Sequence, residues 1–157
     1  MSIERVKDYF AKFGMAEKVM EFEVSSATVA LAALALGCEE ARIAKTLSFH
    51  QGDKVVLVVT AGDVKIDNAR YKGTFGLKAK MLAFEEAEIL IGHAVGGVCP
   101  FAVNEGVEVW LDESLKRFDT VFPACGSSNS AIELTPAQLE QYSSNCLGWV
   151  DVTKPMA

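Results

Sequence analysis

Residues 45 to 63, KTLSFHQGDKVVLVVTAGD, restrict the possible folds more than any other stretch of this chain. Two runs rich in β-branched and aromatic residues flank HQGD, which supplies turn residues, so the segment predicts a β-hairpin. What surrounds the hairpin then decides the fold class. Ile3, Val6, Phe10 and Phe13 recur at helical spacing before Gly14, which predicts a first helix over 3–13. VMEFEV alternates as a short strand would. Ser25 or Ser26 is positioned to cap a helix through ATVALAALALG that stops at Gly37, with CEEARIA as a further helical turn. After the hairpin, DNARYKG reads as a helix closed by Gly73 and AKMLAF as a strand. FEEAEILIG carries its acids in the first turn and ends on Gly92, the polarity a helix favours. VEVWL reads as a strand and DESLKRF as a short helix. TVFPACG and SAIEL read as a strand pair joined by GSSN, TPAQLEQYS as a helix with a Thr cap and Pro at its first position, and GWVDVT as a last strand. Strands and short helices intermix without a βαβ rhythm, which predicts an α+β fold around a mixed or antiparallel sheet. At 157 residues the expectation is one domain spanning residues 1–157.

Composition excludes several functions. No apolar run reaches membrane-spanning length, the longest being 27–37, and the N-terminus lacks a signal-peptide core, so the expected location is cytoplasmic. Cys38, Cys99, Cys125 and Cys146 are widely spread with none at CxxC spacing, and no zinc pattern of histidines occurs, so no metal site is expected. The net charge of −6 argues against general affinity for nucleic acid, DNA included. Residues 65–80 depart from it. They hold Lys65, Arg70, Lys72, Lys78 and Lys80 against Asp67 alone, a local charge of +4 on a remainder of −10. Such a patch suits a partner touched at one place, such as an RNA end; the plain alternative is a solvated face.

The stretch 91–106, IGHAVGGVCPFAVNEG, is the first candidate for chemistry. Gly96 and Gly97 free the backbone, and Pro100 fixes it and restrains Cys99. Two readings follow. Cys99 is a nucleophile, which needs a base or a depressed pKa; His93 lies six residues away, and nothing in the spacing brings the two together. Alternatively, the main-chain amides form a rigid concavity that holds a carbonyl or oxyanion. Lys45 is the second candidate. At the rim of an apolar strand a lysine snorkels to water, or turns inward and stabilises negative charge. The third is Gly126, Ser127, Ser128 and Asn129, whose small polar groups suit an amino group or ribose hydroxyl, or a plain hairpin turn.

RIAKTLSF, GHAVGGVCPF and ACGSSNSAIELTPAQL occur in that order, and together they resemble the YbaK/ProX family of tRNA-editing deacylases, which is related to the insertion domain of bacterial prolyl-tRNA synthetase. The likeness runs from about Val24 to Leu139. It implies one α+β domain with a mixed, strongly curved, barrel-like sheet flanked by short helices. It also implies hydrolysis of the ester joining a wrong amino acid to tRNA, here tRNA for proline carrying a small residue such as Ala, Cys or Ser. The family's essential lysine falls on Lys45, beside Thr46. Its GxxxP loop falls on Gly96 through Pro100, with Gly97 inside, and many relatives have Ser where Cys99 stands. Its late glycine loop falls on Gly126–Asn129, where Ser128 and Asn129 replace the functional His or basic residue of some relatives.

The resemblance thus gives Lys45, Gly96 and Gly97 catalytic roles, with Thr46, His93, Val98, Cys99, Pro100, Phe101, Gly126, Ser127, Ser128 and Asn129 shaping the substrate site. The basic segment would touch RNA. Such hydrolysis needs a positioned water and a held carbonyl but no cofactor. The expected partners are mischarged aminoacyl-tRNA and prolyl-tRNA synthetase. A noncatalytic module binding an aminoacyl-tRNA or a synthetase, and a Cys99-dependent hydrolase or transferase, are the alternatives.

Overall fold

The computed structural model describes residues 2–23 and 28–156. The hairpin forms as expected. Ile43–Gln51 (β2) and Lys54–Ala61 (β3) pair antiparallel from Ala44↔Ala61 to Gln51↔Lys54, so the loop is only Gly52 and Asp53. Gly52 takes φ +65°, the left-handed conformation a two-residue hairpin loop demands. Glu108–Asp112 (β5) runs parallel to β3, and Cys146–Val150 (β8) runs parallel to β5. Phe122–Pro123 (β6) runs parallel to the start of β2. The sheet order is therefore β6-β2-β3-β5-β8, a mixed sheet curled into half a barrel. Two short antiparallel pairs flank it: Met20–Glu21 (β1) with Ser130–Ala131 (β7), and Val64–Ile66 (β4) with Thr153–Pro155 (β9).

β3 lies at the centre because it is apolar on both sides. Val55, Leu57 and Val59 enter the main core, while Val56 and Val58 enter a second cluster on the opposite face. The first helix, Ser2–Ala11 (α1), buries Ile3, Val6 and Phe10, of which Val6 and Phe10 join that main core. Phe10 meets Phe101 with ring centroids 4.8 Å apart. Phe13 lies beyond the helix end and is 47% exposed, its ring against Tyr9 and Tyr142.

The second helix, Val29–Leu36 (α2), is capped by Thr28, whose Oγ1 accepts from Leu31 N at 3.1 Å. The caps expected at Ser25 or Ser26 lie outside the described residues. The helix stops at Gly37 as expected (φ +67°). The helix expected to close at Gly73 runs on instead. Asn68–Phe75 (α3) ends at Gly76, because the Phe75 ring packs on Tyr71 (4.7 Å) and Trp110 (5.7 Å). Those contacts outweigh the roughly 1 kcal/mol that one interior glycine costs. The strand expected in AKMLAF is a single bridge, Phe49↔Met81, before Phe84–Ile91 (α4) begins. The pair expected between TVFPACG and SAIEL is likewise reduced. β6 joins β2 and β7 joins β1, leaving between them the Val121↔Leu134 bridge and Ile132 N donating to Pro123 O at 3.0 Å. Pro136–Tyr142 (α5) starts as predicted, with Thr135 and Gln138 bonding reciprocally at 3.0 and 2.9 Å. GWVDVT breaks into β8 and β9. The buried Asp112 carboxylate accepts from Val152 N (2.9 Å) and Thr153 Oγ1 (2.8 Å) and bends the chain between them.

Candidate active site: a gap in the edge of β2

Along one edge β2 pairs with β3 from Ala44 to Gln51. Along the other its partners change. β6 covers Ile43 and Ala44. The 80–82 segment covers the far end, with His50 N donating to Lys80 O at 2.8 Å and Leu82 N donating to Ser48 O at 3.2 Å. Between these two, Lys45, Thr46 and Leu47 have no strand beside them among the described residues. A cavity of about 390 Å³ opens there, within the size range of small-molecule sites. It wraps round the open edge, so residues from both faces of the strand touch it.

The cavity wall is small and mostly apolar. α2 supplies Val29 and Ala32, α4 supplies Ala87, and Val98 and Ala124 come from the opposite side. Polar groups are few: Thr28, Thr46, Ser48 and Ser130. Among the described residues that line it, Lys45 alone is charged. Side chains alternate along a strand, so Lys45 shares a face with Ile43, Leu47 and Phe49, while Thr46 shares one with Ala44 and Ser48. Lys45 is half-buried, and its Nζ donates to the Val64 carbonyl of β4. Burial lowers its pKa below the ordinary lysine range, with Asp63 opposing the shift weakly. Asp63 is itself engaged by both terminal nitrogens of Arg117, at 3.0 and 2.6 Å.

The glycine-rich loop approaches from the other face. Gly96 (φ +96°) lines the cavity. Gly97 does not; its N–H closes a turn onto Ala94 O at 3.0 Å. A Cβ on Gly97 would stand 2.5 Å from the Gly126 carbonyl carbon. The two glycine loops thus abut main chain to main chain, which is why this position tolerates no side chain. Cys99 and His93 lie behind the loop, both wholly buried. They do meet, contrary to what their spacing suggests, with Cys99 Sγ 3.6 Å from His93 Nε2. Neither lines the cavity. His93 Nε2 sits 2.7 Å from Phe101 O, where it acts as donor; its Nδ1 has no hydrogen-bond partner among the described residues. Burial holds the imidazole pKa below its usual value and pushes the Cys99 thiol up to about 12.

Residues 23–142 match the family model described as an aminoacyl-tRNA editing domain. The chain belongs to the aminoacyl-tRNA editing domain family. This editing domain is a deacylase, a hydrolase of a carboxylic ester. It is 53% identical over 155 residues, 98% of each chain, to YwhH of Bacillus subtilis (strain 168), a protein described as uncharacterized. It is 26% identical over 135 residues to the proline–tRNA ligase of Bacillus cytotoxicus, covering 84% of this chain and 24% of that one. The editing domain thus spans about a quarter of that ligase. A solved structure described as a candidate trans-editing enzyme for prolyl tRNA synthetase superposes with a TM-score of 0.87 at 28% identity, over 98% of this chain and 97% of the other.

Within this editing domain the residues expected from sequence divide in two. Lys45, Thr46, Gly96 and Val98 reach the cavity. His93, Gly97, Cys99, Pro100, Phe101 and Gly126 are buried off it, where they hold the loop rather than line the site. Ser127 and Asn129 form a structural corner: Ser127 Oγ donates to Asn129 Oδ1 at 2.9 Å, and Asn129 Nδ2 donates to Phe22 O at 2.8 Å. Ser128 is exposed at its tip. Lys65, Arg70, Lys72, Lys78 and Lys80 are all exposed, and Arg70 is tied to Asp151 Oδ1 (3.1 Å) and Thr153 O (3.0 Å). Lys80 adjoins Met81 at the cavity rim. Sequence reasoning missed that rim, formed by Met81, Phe84 and Val95, and missed the α2 wall. Phe84 is 73% exposed at the start of α4, and no motif in the sequence marks it.

Proposed function

We propose that this editing domain acts in trans on tRNA for proline mischarged with a small amino acid such as Ala, Cys or Ser. The observation that carries this reading is the cavity at the β2 gap, small-walled and apolar, with Lys45 as the charged residue among the described residues that line it. In the reaction a water adds to the acyl carbonyl, and the tetrahedral intermediate collapses to the free amino acid and the terminal ribose hydroxyl. The water's proton ends on the departing ribose oxygen. An aminoacyl ester is already activated, so positioning and charge stabilisation suffice. Lys45 supplies positive charge to the carbonyl oxygen or to the terminal adenosine. Gly96 presents main chain to the acyl group, and Gly97 keeps that main chain in place against Gly126. The exposed Phe84 ring at the mouth offers the terminal adenine a stacking surface, and the basic residues leading to Lys80 receive the RNA backbone. Val29, Ala32, Ala87 and Val98 limit the acyl side chain; each methylene in such a pocket separates substrates by about 1–3 kcal/mol. The reaction belongs in the cytoplasm, where prolyl-tRNA synthetase produces the substrate.

The test is a deacylation panel. tRNA for proline carrying Ala, Ser, Cys or Thr is incubated with the protein, and ester loss is compared with a buffer blank. Loss is expected for the small residues and should decline for Thr. No loss above the blank for any of them would leave the noncatalytic binding module as the better reading.

A further inference from the structure

The gap in β2 has a main-chain polarity that the side chains around it do not reveal. Main-chain N–H and C=O groups of a strand point to alternate edges from residue to residue. Ser48 C=O and His50 N–H both point away from β3, since they bond to Leu82 and Lys80. Thr46 has the same parity. Its N–H and C=O therefore also point away from β3, into the stretch where no strand lies. Lys45 and Leu47, opposite Thr60 and Val58, turn theirs toward β3. Thr46 thus offers one donor and one acceptor, side by side, to whatever fills the cavity. Neither has a hydrogen-bond partner on that edge among the described residues. Thr46 lines the cavity and is partly exposed, so a ligand can reach it.

We infer that Thr46 binds the acyl group as one strand binds a single residue of another. Its C=O accepts from the ligand's α-ammonium, and its N–H donates to the acyl carbonyl. An α-aminoacyl ester in an extended conformation presents its nitrogen and its carbonyl oxygen on the same side, as a residue in a strand does. It is the smallest ligand that complements both groups at once. The gap ends at Ala44 on one side and at Ser48 on the other, so one residue fits and a chain does not. The selection is for a free α-ammonium, independent of side-chain size. This inference rests on the deacylase reading in taking an acyl-adenosine as the ligand.

Two stable amides test it: 3′-deoxy-3′-alanylamino-adenosine and its propionyl counterpart, which lacks only the amino group. Calorimetric Kd values are expected to differ by about tenfold to a hundredfold in favour of the alanyl compound, the effect of one hydrogen bond to a charged group. Binding of the alanyl amide should also slow hydrogen exchange at the Thr46 amide and leave the Lys45 amide, already directed at β3, unchanged. Equal affinity for the two amides, or a Thr46 amide unaffected by a bound alanyl ligand, overturns the inference. Deacylation of alanyl-tRNA, measured in parallel, keeps the two readings apart. Hydrolysis with no discrimination sinks the strand-edge contact alone. Discrimination with no hydrolysis supports the contact and sinks the deacylase. If neither amide binds, the contact falls whether or not tRNA is hydrolysed.

Discussion

Two regions of this editing domain differ most in their chemistry. Behind the glycine loop, His93, Cys99 and Cys125 bring an imidazole and two thiols together, and all three are wholly buried. Burial keeps both thiols protonated, Cys125 further so because Cys99 is its neighbour. At the β2 gap the side chains are almost inert, with one lysine, a few hydroxyls and aliphatic groups. Yet the gap is where a ligand can enter. For an ester that is already activated, access and a preorganised main chain outweigh the presence of a nucleophile.

The largest expected effect falls on the charged side of that comparison. Lys45→Ala should lower deacylation by about 10²–10³, the usual loss when one group stabilising a developing oxyanion is removed. Wild-type rates in this variant would take the ammonium out of the mechanism. Gly97→Ala comes next. Its Cβ must displace the Gly126 main chain, at a cost of about 1–3 kcal/mol in unfolding free energy. Urea denaturation measures that cost, and deacylation should fall with it as Gly96 shifts. For the basic segment, tRNA affinity is expected to drop on the order of tenfold between about 50 and about 200 mM salt, as a few phosphate contacts require. A flat response, read by filter binding, would make these lysines a solvated face.

The buried side of the comparison predicts small effects. His93 has its folded-state pKa below the ordinary 6.5. The unfolded chain therefore takes up a proton that the folded one refuses. Stability is full above about pH 6.5 and falls as the pH drops toward the folded value. His93→Gln, which keeps a donor for Phe101 O, should lose less stability than wild type between about pH 7 and about pH 5, by urea midpoint. Cys99→Ser is expected to keep deacylation within about threefold, because a thiol held near pKa 12 supplies almost no thiolate. A loss of several hundredfold would move the chemistry behind the loop and reverse the comparison.

Sequence revealed what is local. The hairpin, the Thr135 cap with Pro136, and the stops at Gly37 and Gly92 are decided within a few residues, and each forms as read. Where distant packing decides, the reading failed. Phe75 carries α3 past Gly73 by leaning on Trp110, and the Met81 segment pairs through one residue because α4 begins at once. The site divides in the same way. Lys45, Thr46, Gly96 and Val98 belong to short patterns and reach the cavity. The gap itself is not legible, since it exists only because β6 ends after two residues and the 80–82 segment arrives two residues too late. Nor are Val29, Ala32 and Phe84, which no motif links to Lys45.

That interruption has a further consequence for how the protein behaves in a crowded solution. An exposed strand margin invites foreign chains to join it and seed fibres, and natural sheets blunt such margins. Here β6 and the Met81 bridge bracket the bare stretch at both ends. The opening is too short to template another polypeptide, so the molecule keeps a reactive main-chain edge without becoming sticky.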